Sequence, residues 1–190
     1  MYLRRLDASS EADLDLISRL MSAAPDYSLM HASSFSTTQW SRDIARAEAH
    51  GESQRMYAAF EREDPVALIH VLLNNPLPEV ATISGLLVNQ SSRRRHVGCR
   101  AIEALSRQAR SWPGITRWSL HVFERNTAAL AFWLHCGFDA VQCQPRADDP
   151  NGTMLMLGRT LKGKPLCRCR GVTAKDKLRE ITSHNLVMLW

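Results

Sequence analysis

Two blocks between Ile83 and Phe138 constrain this chain more than anything else in it. The first is an apolar run, Ile83-Ser84-Gly85-Leu86-Leu87-Val88. It leads into a basic turn, Arg93-Arg94-Arg95-His96-Val97-Gly98, and then into a helix-like stretch ending near Ser111. The second block is Leu120-His121-Val122-Phe123-Glu124-Arg125-Asn126, then Ala129, then Phe132-Trp133-Leu134-His135-Cys136-Gly137-Phe138. Strand, basic turn, helix, strand, Asn, helix, Gly-Phe is the order an α/β domain must be built around. Backbone N–H groups at a helix start attract an anion, and the helix dipole adds to the attraction. A Gly there lets the backbone come close, and arginines add charge-assisted contacts. The same residues also suit a solvated turn, and Asn126 also suits a plain helix N-cap.

A chain of 190 residues with 45% hydrophobic and 23% charged content fits one folded domain with an appendage. The net charge is +5 and the isoelectric point about 9.2. Much of the excess sits in Arg93, Arg94 and Arg95 and in the segment after Thr160. That balance favours acidic partners such as nucleotide phosphates, nucleic acid or an anionic surface. The cysteines, 99, 136, 143, 167 and 169, are odd in number. The first residues lack the apolar core of a secretory signal, and no apolar run approaches the roughly 20 residues of a membrane span. The expectation is a cytoplasmic chain with reduced thiols. Cys167 and Cys169 with His184 fall short of four zinc ligands at a known spacing, so no metal site is expected.

Periodicity and turn chemistry place the remaining elements. Tyr2–Leu6 alternates as a strand. Ser9 and Ser10 before Glu11 and Asp13 mark a helix start, followed by Leu14, Ile17, Leu20 and Met21 at helical spacing. Ala23–Thr37 reads as a loop and Thr38–His50 as a second helix stopped by Gly51. Met56–Glu61 and Val66–Leu73 form a hairpin around the charged turn at Arg62 and Glu63. Val80–Val88 is the fourth strand, Gly98–Arg110 a helix with Ala101, Ile102 and Leu105 inward, and Thr116–Phe123 the fifth strand. A helix over Asn126–Cys136 ends at Gly137, and Ala140–Gln144 with Thr153–Thr160 forms the last pair.

This order and these blocks resemble the GNAT superfamily of acyl-CoA-dependent N-acetyltransferases. Its cofactor turn reads Arg/Gln-x-x-Gly-x-Gly/Ala, matched here by Arg93 to Gly98 with His96 in place of the first Gly. Its second block, Asn-x-x-Ala-x-x-Phe-Tyr followed by Gly-Phe, is matched by Asn126, Ala129, Phe132, Gly137 and Phe138, with Trp133 where Tyr is usual. The resemblance covers about residues 1–160 as one acetyltransferase domain. It leaves 161–190 as a basic extension, either a docking helix or a disordered tail.

The resemblance implies an α/β (α+β) fold: a mixed, mostly antiparallel sheet of six to seven strands with about four helices, splayed between strands 4 and 5. It implies transfer of an acetyl group from acetyl-CoA to a primary amine, small molecule or protein, by direct attack in a ternary complex. Residues 93–99 (Arg93, Arg94, Arg95, His96, Val97, Gly98, Cys99) would hold the phosphates. Leu86, Leu87 and Val88 would offer backbone groups to the pantetheine arm, and Asn126, Ala129, Phe132 and Trp133 would complete the cofactor site. Trp133 has no practical proton to give. The acid is then water, Ser84 or a residue from another segment. The candidate bases are Glu79 and His121, with Glu124 a further one. Asp26 and Tyr27 would receive the acceptor's ammonium group. The partners are then an amine acceptor and no membrane, with a monomer or homodimer as the assembly. Two other functions fit the residues: a CoA-binding module without turnover, which His96 and Trp133 would favour, and a nucleic-acid-binding protein acting through its basic tail.

Overall fold

The computed structural model describes residues 1–7, 9–24, 54–144 and 153–161. The expected helix Thr38–His50, the loop bearing Asp26 and Tyr27, and the segment 162–190 lie outside the described residues. The chain divides into two compact units, Met1–Ile115 and Thr116–Trp190.

The first unit runs β1 (Tyr2–Arg5), α1 (Glu11–Ser22), β2 (Gln54–Glu61), β3 (Asp64–Leu73), β4 (Val80–Val88), a 3-10 turn (Gln90–Ser92) and α2 (Val97–Ala109). Its strands lie in the order β1-β2-β3-β4, each antiparallel to the next. Arg62 turns the β2–β3 hairpin at φ 56°. α1 starts where the sequence says it should: the Ser10 hydroxyl accepts from the Asp13 N–H, with Glu11 and Asp13 in the first turn. Its apolar face, Leu16, Ile17, Leu20 and Met21, forms one buried cluster with Met56, Ala58 and Phe60 of β2, Leu68 of β3 and Leu87 of β4. Each large side chain of this cluster contributes about 1.5–3 kcal/mol by leaving water. Tyr57 and Ala59, which alternate with that set on β2, are buried as well, so β2 is covered on both faces. α2 buries Val97, Ala101, Ile102 and Leu105 and packs on β1, β3 and β4. It begins at Val97, one residue before the expected start, because His96 takes the cap position.

The β3–β4 ladder contains one irregularity that matters below. Val71 lies opposite Ile83 and His70 opposite Gly85, so Ser84 is an extra residue in β4 with no register partner. Such a bulge re-aims its side chain and increases local twist.

The second unit runs β5 (Arg117–Phe123), α3 (Thr127–His135), β6 (Asp139–Gln144) and β7 (Met154–Thr160). Its strands lie in the order β5-β7-β6, again antiparallel. Trp118, Leu120 and Val122 of β5 are buried, as are Leu155, Met156 and Leu157 of β7. α3 ends in a Schellman turn. Gly137 sits at φ 75° and donates to the Leu134 carbonyl at 3.0 Å, and the Phe138 N–H donates to the Trp133 carbonyl at 3.1 Å.

Candidate active site

The basic turn leads into the start of α2, where Val97 and Gly98 are buried and Arg94, Arg95 and His96 before them are exposed. His96 is the N-cap residue, in the left-handed conformation at φ 58° and ψ 17°, and its side chain makes no capping hydrogen bond. Left-handed backbone is what a Gly supplies without strain. The His therefore stands where the cofactor motif has Gly and keeps the backbone that the Gly would adopt. Arg94, at φ 57°, does the same two residues earlier. Backbone turns with such residues are one way in which proteins form anion-binding nests.

The three arginines divide their work. Arg93 folds back, its Nε–H donating to the Val88 carbonyl at 3.0 Å, which fixes the turn to the end of β4. Arg94 and Arg95 are exposed. Arg100, one turn into α2, is ion-paired with Glu61 at the end of β2. A pocket of about 510 Å³ beside the turn is lined by Arg19, Glu61, Asp64, Asn89, Ser92 and Arg95 among others. Cys99 is half-buried in the first turn of α2, and both Cys99 and Cys136 carry thiols.

A second constellation lies across β2, β3 and β4. Ser84, exposed at the bulge, has its Oγ 2.6 Å from Nδ1 of His70, and Nε2 of His70 lies 3.1 Å from Oε1 of Gln54. His70 is buried, at 9% exposure. An amide oxygen can only accept, so the Gln54 contact holds the proton on Nε2 and leaves Nδ1 as acceptor for the Ser84 hydroxyl. Sequence reasoning names Ser84 but neither His70 nor Gln54. The one signal in the sequence is a lone polar ring inside the apolar run Val66–Leu73.

In the second unit, Asn126 caps α3. Its Oδ1 accepts from the Ala129 N–H at 3.1 Å, a cap bond that does not use the side-chain amide N–H group. Trp133 is buried, edge-on to Phe132 at 4.9 Å and to Phe138 at 5.3 Å between ring centroids. The three rings form a core cluster, as their pattern suggests. His121 is exposed on β5 opposite Met156, and Glu124 follows the strand with its N–H donating to the Thr153 carbonyl at 2.9 Å. Glu79 is half-buried just before β4, in the first unit. Leu86, Leu87 and Val88 pair with Ile69, Leu68 and Ala67 of β3. Tyr57 has its hydroxyl pKa raised by burial, against the opposing pull of a hydrogen bond to Arg55, whose guanidinium lies 4.8 Å over the Trp112 ring. The Tyr57 ring stacks on Trp112 at 6.2 Å between centroids and serves the core.

A model of the acetyltransferase (GNAT) family matches residues 17–138, which include both motif blocks. The chain belongs to the GNAT acetyltransferase family. It therefore has the family's α/β fold and is an acyl-CoA-dependent acetyltransferase that uses acetyl-CoA as donor. Solved structures share the fold at low identity. An acetyltransferase from Thermus thermophilus is 24% identical, with a TM-score of 0.66 over 84% of this chain and 97% of that one. An aminoglycoside 6'-N-acetyltransferase complexed with coenzyme A is 15% identical, with a TM-score of 0.63 over 87% of this chain and 99% of that one. The ribosomal-protein-S18-alanine N-acetyltransferase from Escherichia coli is 17% identical, with a TM-score of 0.62 over 85% of this chain and 94% of that one. No curated protein sequence matches the chain. No helix among the described residues is long and apolar enough to cross a membrane.

Proposed function

We propose that residues 1–160 acetylate the primary amine of a small molecule or of a protein by direct attack of the amine on bound acetyl-CoA. The carrying observation is the start of α2: side-chain-uncapped N–H groups behind a left-handed His96, flanked by exposed Arg94 and Arg95. A helix N-terminus of this form suits a pyrophosphate. Acetyl-CoA supplies the activated acetyl group, and the chain's own residues bind, orient and move protons. Arg94, Arg95 and the N–H groups of residues 97–99 would hold the phosphates, while Arg93 steadies the turn from Val88. Leu86, Leu87 and Val88 would offer backbone groups to the pantetheine arm. In the second unit, Asn126, Ala129, Phe132 and Trp133 match the family's second block, and the resemblance assigns them to the cofactor, with the oxygen of Asn126 already capping α3.

For proton movement the candidates remain Glu79, His121 and Ser84, since the indole of Trp133 is no acid. Asp26 and Tyr27 are assigned to the acceptor ammonium. The acceptor classes named for the structural relatives, an aminoglycoside and a ribosomal-protein alanine, support both kinds of acceptor.

The test is calorimetric binding of acetyl-CoA to wild type, Arg94→Ala and Gly98→Glu, each checked for fold by circular dichroism. Thiol release is then followed over a panel comprising a polyamine, an aminoglycoside and an alanine-terminated peptide. Binding that is weakened in Arg94→Ala and lost in a folded Gly98→Glu, with thiol release on at least one amine, supports the reading. A folded wild type that binds nothing defeats it, and binding without turnover would make the chain a CoA-binding module.

A further inference from the structure

We propose that Ser84, His70 and Gln54 form a proton relay, in which Ser84 is the catalytic residue and the other two position and charge it. This rests on the transferase reading and assigns its proton path. Ser84 is exposed at a bulge in β4, and its hydroxyl lies 2.6 Å from Nδ1 of the buried His70 on β3. Gln54 on β2 lies 3.1 Å from the far nitrogen of the ring. The three groups come from three adjacent strands, and the bulge makes their meeting possible. Without the extra residue, β4 would keep one continuous pairing with β3, and position 84 would have an ordinary cross-strand partner. An exposed hydroxyl alone would gain nothing from a bulge, and a structural histidine alone would not need its Nδ1 turned to an exposed group. Gln54 adds the remaining requirement, because an acceptor on Nε2 selects the tautomer whose Nδ1 can receive a proton.

The step balances as follows. The acceptor amine nitrogen forms the bond to the acetyl carbon while the carbon–sulfur bond breaks. A proton leaves the nitrogen for the Ser84 oxygen as the Ser84 proton passes to Nδ1 of His70. The same path, run backward, delivers a proton to the departing thiolate. The products are the N-acetyl amine and the free thiol, and His70 and Ser84 return to their starting states. One relay thus serves as base and acid, so the missing Tyr at position 133 leaves no gap in the chemistry.

The test uses the full-length protein and two readouts. Long-range proton–nitrogen NMR on uniformly labelled protein reads the His70 tautomer without any acceptor. The expected result is a proton on Nε2 in wild type and a changed Nδ1 environment in Ser84→Ala. Steady-state thiol release is then measured with the panel amine that wild type uses fastest. Ser84→Ala and His70→Gln are each expected to lower kcat by about 100-fold or more with the KM for acetyl-CoA little changed, the usual scale of a lost acid–base group. Ser84→Thr, which keeps the hydroxyl, is expected to restore most of the rate. Ser84 is exposed, so its variants test the idea even where His70→Gln fails to fold. A proton on Nδ1 in wild type overturns the relay. So does an active Ser84→Ala in a wild type that turns over, and in that case the transferase reading stands. A wild type that acetylates none of the three amines defeats both.

Discussion

His96 occupies a backbone conformation that disfavours any residue with a Cβ. Left-handed φ and ψ raise a non-glycine residue by about 1–2 kcal/mol, and this one sits at the cap of α2 without a capping bond to offset it. Gly is both tolerant of φ 58° and an acceptable N-cap. Part of the gain is returned because Gly enlarges the unfolded ensemble. The expected outcome of His96→Gly is a protein more stable by about 0.5–1 kcal/mol in urea denaturation, with acetyl-CoA bound at least as tightly. A destabilised His96→Gly would mean that the imidazole, not the backbone, is what position 96 contributes. The histidine is thus a departure in side chain and not in backbone. The sequence shows that a motif Gly is replaced; only φ shows that the turn survives the replacement.

At the scale of elements, α1 is tied to β1 by a single carboxylate. Asp13 is buried at 5% exposure, accepts from the Arg4 guanidinium at 2.6 Å, and accepts from the Asp7 N–H at 2.9 Å. Its own N–H donates to the Ser10 cap. Arg4 is exposed, so water serves its guanidinium when the carboxylate is removed, and the larger loss is the acceptor of the Asp7 backbone N–H. Asp13→Ala is expected to lower stability by about 1–3 kcal/mol by urea denaturation, with Asp13→Asn intermediate because the amide oxygen still accepts. A loss below about 0.5 kcal/mol, the ordinary range of a surface substitution, would show that solvent serves Arg4 and Asp7 equally well.

Elements of this kind were legible in the sequence. Ser10, Glu11 and Asp13 announce the start of α1, Gly137 ends α3 in the turn it was expected to make, and each described strand lies within a few residues of its alternating pattern. The sequence places the start of α2 at Gly98, one residue late, because the cap is a histidine, which carries no capping signal. The role of Asp13 in holding Arg4 was not legible either, since its partners lie on the other side of a turn.

At the scale of the whole molecule, the proposed phosphate turn and the proposed proton relay differ in how they are encoded. The proposed phosphate turn is contiguous, because donors at one helix start must come from neighbouring residues, and so Arg93 to Gly98 can be read directly. The Ser84, His70 and Gln54 contacts depend on the register of three strands and on one bulged residue, and a period of two does not encode a bulge. The charge at the turn can be tested on the intact protein. A ligand that binds only the folded chain at 100 times its Kd adds about 2.7 kcal/mol, which for a chain of this size raises Tm by about 5–10 °C. Acetyl-CoA is expected to do this. If Arg94 and Arg95, both exposed beside the helix start, reach the ribose 3′-phosphate, the 3′-dephospho form at equal concentration must give a smaller shift. The difference between the two must shrink as salt rises from low ionic strength toward 1 M, where the screening length falls to about 3 Å. Equal shifts for the two forms at low salt would assign the arginines to the pyrophosphate alone. No shift with either would remove the turn from the cofactor site.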